Sequence, residues 1–333
     1  MKIHIVTPGP ESGWIIYKFG KTVYDTLINL GYDATISNAF DPNADINHYF
    51  QPNTIGYSKT TKVNDKTTFM ITHIDTMLKL DQILELTKKG AIGICMSKET
   101  RDRLIACGVK PNRICYINPA QDGEITPKKI TLGFTYRTYP DNRKRDDIIV
   151  DACEGIDPNV FRFSIMGAGW DEIITRLKEK GFEVEYYPEF DKKKYNELMP
   201  SFDYYCYFGF DEGSMGYLDA MAAGIGTIIT PQGYHLDSGI EITYPVSTVD
   251  DIRNALLDIQ AKREKHLNFV KTWTWENYTK KHIELWKYVL RNEELSVLLS
   301  NRGNYQDGIF SLLLDDLQND ESLFEKIKKT KQE

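Results

Sequence analysis

The chain has 333 residues, 41% of them hydrophobic and 27% charged, which supplies apolar material for buried cores and argues against a disordered or fibrous chain. Its 41 Lys and Arg against 48 Asp and Glu give a net charge of −7 and an isoelectric point near 5.5, so a nucleic-acid backbone is not an expected partner and any phosphate should be met by a local pocket. At roughly 150 residues per domain, the length predicts two domains.

Residues 2–7 form a β-rich run that stops at Pro8-Gly9-Pro10. A helix is then predicted over 15–30, where Ile16, Phe19, Val23, Leu27 and Leu30 recur at helical spacing before Gly31. Ala34–Ile36 reads as the next strand, followed by a strand at Thr68–Ile71, a helix over 76–88, a strand at 91–95, a helix over 98–107 and a strand at 114–117. Strands alternating with helices imply a parallel sheet covered on both faces. The polar stretch 119–124 has the composition of a linker.

The rhythm restarts at Ile130–Phe134. It continues through a helix over 144–153, a strand at 161–166, a helix over 170–180, a strand at 183–186, a helix over 191–199, a strand at 204–207, a helix over 215–223 and a strand at 227–229. Helices over 250–265 and 275–290 follow, and the tail 291–333 carries apolar patches at 295–299 and 310–314. The expected fold class is α/β, with two Rossmann-like doubly wound domains, 1–125 and 126–272, a closing helix over 273–290 and a helical C-terminal extension over 291–333. Ligands of open α/β sheets bind outside the carboxyl ends of the strands, so a cleft between the two domains is the expected site.

Five widely spaced cysteines with no C-x-x-C pair suit buried thiols in a reducing cytoplasm rather than a disulfide frame or a zinc site. The first apolar run is too short for a signal peptide, and no window approaches eighteen apolar residues. A cytoplasmic protein is expected, with peripheral contact at the inner face of a membrane left open.

The segment from Gly209 to Gly224 is the most informative. It follows a buried strand, offers Asp211, Glu212, Gly213 and Ser214 in a loop, and opens at Met215 and Gly216 into an Ala-rich helix. Unpaired amides at a helix start, approached through glycines, suit a diphosphate. The alternative is a helix cap with tight packing at Ala222-Ala223-Gly224.

This segment, from Asp211-Glu212-Gly213 through Leu218-Asp219-Ala220-Met221-Ala222-Ala223-Gly224, resembles the E-G-x-G…L-E-A-M-A-x-G signature of retaining family 4 glycosyltransferases of the GT-B fold. Other pieces fall in the family's order: Ile130–Arg137 with Lys144–Ala152, then Phe163–Gly169 with its Gly167, and Trp273–Tyr278. The likeness spans about 1–290, and its specificity lies in the ordered set. There are departures. The family's two glutamates have seven residues between them, a spacing that here joins Asp211 to Asp219, while Glu212 lies one residue closer. The interval from Arg137 to Lys144 is longer than usual, and Arg143 rivals either basic residue.

The resemblance implies a glycosyltransferase that takes a nucleotide-sugar donor and a glycan or glycolipid acceptor, without a metal ion or other cofactor. Arg137, Lys144 and the amides of 213–216 would hold the diphosphate, Asp219 the ribose, and Asp211 or Glu212 the sugar. Gly13, in the first strand-to-helix loop, and Gly167 would let backbone approach the donor, and His73 would stand near the transferred sugar. His235, on the loop beyond the Thr227–Thr230 strand, could also touch the donor. Simpler readings stay open: a turn at Gly13, a structural His73, a basic patch solvated beside Asp141, Asp146 and Asp147, and a plain loop residue at His235. Lys192-Lys193-Lys194 reads as a solvated helix face, and Tyr204, Tyr205, Tyr207 and Phe208 as core. A nucleotide-sugar epimerase and a non-catalytic sugar-binding subunit are the rival functions, and a homo-oligomer through the tail remains open.

Overall fold

The computed structural model describes residues 1–10, 14–50, 63–237, 239 and 241–290. Gly13 and the tail 291–333 lie outside them, as do the expectations placed there. The chain divides into two compact units, one made of Met1–Glu124 with the chain from Val270 on, the other of Ile125–Phe269.

The first unit contains β1 (Lys2–Val6), α1 (Trp14–Asn29), β2 (Asp33–Ser37), β3 (Ile46–Tyr49), β4 (Thr67–Ile71), α2 (Met77–Lys88), β5 (Ile92–Cys95), α3 (Lys98–Ala106) and β6 (Ile114–Tyr116). All strand pairs are parallel, in the order β2-β1-β3-β4-β5-β6. Alternation along each strand splits the core in two. Ile3, Ile5 and Met70 pack with Phe19, Val23 and Leu27 of α1, while Val6, Phe69 and Ile71 pack with Ile83 and Leu104 of α2 and α3. Thr76 and Ser97 cap α2 and α3 by accepting from the amides of Lys79 and Thr100.

β3 is a strand that hydropathy does not reveal, because Asn47 and His48 interrupt its apolar run. Both are buried and bonded: Asn47 exchanges two 3.0 Å bonds with the Asp41 backbone, and the His48 Nδ1 lies 2.9 Å from Thr68 Oγ1.

The second unit contains β7 (Ile130–Phe134), α4 (Ile148–Ala152), β8 (Phe161–Met166), α5 (Asp171–Glu179), β9 (Glu183–Tyr187), α6 (Lys192–Leu198), β10 (Tyr204–Tyr207), α7 (Met215–Ala223), β11 (Gly226–Ile229) and the short edge strand β12 (Tyr244–Pro245). Its order is β12-β11-β10-β7-β8-β9, again parallel throughout. Counted within the unit this is the 3-2-1-4-5-6 order of dinucleotide-binding sheets, whose switch point lies between β7 and β10. Cys206 and Phe208 face a core of Leu132, Phe134, Phe163 and Trp170; Tyr205 and Tyr207 face the opposite one, with Leu198, Phe202 and Tyr217. The two sheets with helices on both faces agree with the expected fold class.

α8 (Val249–Lys271) and α9 (Trp275–Val289) close the described chain. α9 belongs to the first unit, where Tyr278, Ile283, Leu285 and Trp286 enter the core and the Trp286 Nε1 donates to Thr68 Oγ1 at 3.0 Å. No described helix is long and apolar enough to cross a membrane.

Two helices differ from expectation in length. The helix expected over 144–153 begins only at Ile148, since Asn142 and Arg145 take left-handed φ values of 53° and 52° that break the helical path. The one expected over 250–265 runs on to Lys271. Four cysteines are buried free thiols, and burial pushes Cys95 and Cys153 up to about 12. Cys107 is exposed, because it caps the end of α3 at the surface.

His48 and His282 are both fully enclosed between β3 and α9, their ring centroids 5.1 Å apart. Burial drives both below the ordinary 6.5, His282 to about 4. The unfolded chain therefore takes up protons that the folded chain refuses. Their contribution is complete above about pH 6.5 and is lost as pH falls toward 4, by roughly 3 kcal/mol for His282. Urea denaturation across this range should show a flatter decline for His282→Phe than for the wild type. Parallel curves would mean that the buried ring does not resist protonation.

Candidate functional site

The switch point of the second sheet brings together the chain leaving β7 (135–147) and the chain leaving β10 (208–214). Phe210 donates its amide to the Arg143 carbonyl at 3.0 Å, and the Gln232 side chain donates to the carbonyls of Gly209 and Asp211, each at 2.6 Å. Two loops remote in sequence are thereby held in one arrangement.

Lys144 sits at their junction with only 12% of its side chain exposed. Its ammonium donates to Asp211 Oδ2 at 2.5 Å and to the Tyr207 hydroxyl at 2.7 Å, and that hydroxyl in turn donates to Asp211 Oδ1. Burial opposes ionisation of Asp211, but the bonds from Lys144 and Tyr207 outweigh it and hold the carboxyl below the usual aspartate range. Burial and the neighbouring carboxylate raise the Tyr207 phenol, which keeps its proton and remains a donor to Asp211. Lys144 thus belongs to a closed polar triangle rather than to a solvated patch. Asp146 is no surface residue either: it is buried, and its carboxyl is pushed up to about 7 by burial.

Arg137 is exposed, and its guanidinium lies 4.5 Å from the centroid of the Tyr139 ring. Arg143 lies 3.8 Å from the same centroid, so the two candidate arginines converge on one phenol. Hydrogen bonding from Arg137 is the leading cause that lowers the Tyr139 pKa. Gly167 works behind this loop: at φ +139° its Cα faces Tyr136, and an added Cβ would lie 2.3 Å from the Tyr136 carbonyl oxygen. The adjacent Thr138 amide bonds the Ala168 carbonyl at 3.0 Å.

The start of α7 is unusual. Ser214 is the N-cap residue, yet its hydroxyl bonds the Tyr205 hydroxyl at 2.5 Å instead of capping the helix. Its amide donates to His235 Nε2 at 2.9 Å. The Gly213 amide makes one long bond, 3.4 Å, to Asp211 Oδ1. Among the described residues, the amides of Met215 and Gly216 meet no acceptor. Gly216 packs so closely that an added Cβ would come within 2.4 Å of the Tyr205 hydroxyl. Glu212 is exposed, and Asp219, also exposed, accepts from the buried Tyr195 hydroxyl.

His73 belongs to the first unit, after β4. Its Nε2 accepts from the Lys79 ammonium at 3.0 Å, and Lys79 also pairs with Asp75 at 2.7 Å. Its Nδ1 lies 2.9 Å from Thr72 Oγ1. Two residues lie otherwise than the sequence reading places them. Tyr207 reads as core by alternation and is buried, but as the last residue of β10 it extends its hydroxyl into the polar cluster. His235 reads as a loop residue that could touch the donor, and is instead fully buried. Among the described residues, no group of three or more His, Cys, Asp or Glu side chains is placed to hold a metal ion.

Comparison with family models and with curated protein sequences finds no match. Solved structures similar to the chain include the apo form of the lipopolysaccharide outer core galactosyltransferase WaaB, with 13% identity over 84% of this chain and 97% of that one and a TM-score of 0.36. Anabaena HepE in complex with UDP and glucose has 12% identity over 90% of this chain and 100% of that one, with a TM-score of 0.34. Sucrose-phosphate synthase from Thermosynechococcus elongatus has 11% identity over 88% and 100%, with a TM-score of 0.36.

Tyr207→Phe removes the hydroxyl that bridges Lys144 and Asp211 while keeping the ring. It should cost about 1–3 kcal/mol at neutral pH, as expected for hydrogen bonds to charged groups. The Asp211 carboxyl should also titrate at higher pH. Chemical denaturation and carbon-13 titration of the carboxyl report the two effects, and a variant unchanged in both would leave the triangle without energetic content.

Proposed function

We propose that the protein is a GT-B glycosyltransferase that transfers a sugar from a nucleotide-diphosphate sugar to a hydroxyl of a glycan or glycolipid. The single observation that carries the reading is the Lys144–Asp211–Tyr207 triangle, placed at the switch point of a dinucleotide-type sheet and linked through the 211–214 loop to the uncapped start of α7. The resemblance in sequence order from Ile130 to Tyr278 supports it independently.

In this reading the diphosphate takes the place of Asp211 Oδ2 against the Lys144 ammonium, with the amides of Met215 and Gly216 donating to phosphate oxygens. Arg137, already turned toward the Tyr139 ring, supplies the second cation. Negative charge grows on the leaving diphosphate as the glycosidic bond breaks, so donors fixed at that position stabilise the transition state more than the ground state. Asp211, released from Lys144, becomes an acceptor for sugar hydroxyls, and Asp219 serves the ribose with the carboxylate oxygen that Tyr195 does not occupy. Retention follows from the resemblance: the leaving phosphate oxygen accepts the proton of the incoming hydroxyl on the face from which it departs. The chemistry assigned to these residues uses no metal ion.

A thermal-shift screen of nucleotide sugars, followed by incubation of the best donor with a glycan library, tests the proposal. Growth in acceptor mass is the expected outcome, while an isomerised donor would indicate an epimerase and binding without turnover a sugar-binding subunit. Lys144→Ala and Arg137→Ala should each lower kcat/KM by about a hundredfold or more, as loss of a charge-stabilising donor does elsewhere. Lys193→Ala, on the exposed face of α6, should leave it within about twofold. Equal and small effects of all three would remove the assigned roles.

A further inference from the structure

His235 ends the single 3₁₀ turn Gly233–His235 that follows β11, and no part of its surface is exposed. The rings of Tyr217, Tyr234 and Tyr207 surround it at centroid distances of 4.7, 5.4 and 5.6 Å. Its Nδ1 lies 3.0 Å from the Thr230 carbonyl oxygen, and its Nε2 lies 2.9 Å from the Ser214 amide nitrogen. A carbonyl can only accept and a backbone N–H can only donate. One state of the imidazole satisfies both: the neutral ring with its proton on Nδ1. An imidazolium would set an N–H against the Ser214 N–H.

The Ser214 amide is thereby drawn inward, away from any ligand of α7. The close approach depends on Gly213, at φ +120°, where an added Cβ would stand 2.8 Å from the Tyr234 ring and 3.0 Å from the His235 Nε2. With its amide held by His235 and its hydroxyl by Tyr205, Ser214 has no freedom to fold back over the helix start. The next two amides, those of Met215 and Gly216, stay uncapped.

We propose that His235 is a positioning residue of the anion site: by anchoring the Ser214 amide from inside the fold, it fixes the first turn of α7 with the Met215 and Gly216 amides presented to a phosphate. The assignment rests on the diphosphate reading given above. Burial lowers the pKa of the ring and so preserves the form that can accept.

Two amide substitutions separate the two bonds. In His235→Gln the side-chain carbonyl reaches the Nε2 position and can still accept from Ser214. In His235→Asn the shorter amide reaches only the Nδ1 position and leaves Ser214 without an acceptor. Calorimetric titration of the full chain with inorganic pyrophosphate and with UDP, GDP and ADP should give His235→Gln within about threefold of the wild type, and His235→Asn and His235→Phe weaker by about tenfold or more. Wild-type binding with all three variants alike would overturn the positioning role and leave the diphosphate reading standing. A wild type that binds none of these probes would overturn both. If Asn and Phe fail to fold, nitrogen-15 spectra of the wild-type imidazoles decide: the Nδ1–H tautomer at neutral pH, with pyrophosphate shifting the Met215 and Gly216 amide signals, supports the role. The Nε2–H tautomer, an imidazolium, or unmoved amides would refute it.

Discussion

An ammonium group nearly shut off from water must be matched by an anion, and the arrangement at the switch point follows from that requirement. Lys144, at 12% exposure, has the Asp211 carboxylate at 2.5 Å, and Tyr207 closes the set. Asp211 retains about a third of its exposure, at 32%, so solvent screens part of the attraction and the pair lies between a surface ion pair and a fully buried one. That intermediate position has a functional sense. A pair too weak would not organise the loops, and a pair sealed from solvent could not exchange one anion for another. The triangle keeps the 135–147 and 208–214 loops together, and under the function proposed above its anion is the one that a diphosphate would replace.

Strand order decides where this can happen. In the second sheet β7 and β10 are neighbours, although 69 residues lie between Phe134, the end of one, and Tyr204, the start of the other. Their connections leave in opposite directions, and the space between them has no crossover helix. The chain fills the back of that space with close contacts at two glycines. Gly167 allows the chain after β8 to press against Tyr136, and Gly216 allows the first turn of α7 to reach Tyr205. A side chain at either position would push a polar element of the site outward by more than a hydrogen bond tolerates.

Much of this architecture was legible in the sequence. The alternation of short β-rich runs with helical spacing located ten of the twelve strands, those whose burial is apolar; β3 escaped because Asn47 and His48 are buried polar residues bonded to the Asp41 backbone and to Thr68, a tertiary arrangement invisible to hydropathy. β12, two residues long at the sheet edge, carries too little pattern to be read. At the site, Lys144 and Asp211 were nameable from motif order, since each lies in a strand-to-helix loop. The role of Tyr207 was not, because alternation reports which face a ring occupies and nothing about where its hydroxyl ends. Asp146 was misplaced for a related reason: two left-handed residues, Asn142 and Arg145, turn a stretch that reads as exposed helix into a loop that folds a carboxyl inward.

The start of α7 shows how such a loop can conserve binding capacity. Serine at an N-cap usually closes the helix on itself, and losing that bond costs about 1 kcal/mol. Here Ser214 is diverted twice, its hydroxyl to Tyr205 and its amide to His235. The helix gives up its own cap, and the orphan donors of its first turn remain beside the partial positive charge of the helix end. An anion arriving there meets donors already fixed in place, so it need not first break an internal bond to the cap or order the turn that carries them. The diversion depends on interior groups, a phenol and an imidazole, that never touch solvent. Rigidity at the surface of the site is therefore set from within the core, and the residues that confer it lie on the strand face and the 3₁₀ turn behind α7 rather than in the motif that draws attention to the loop.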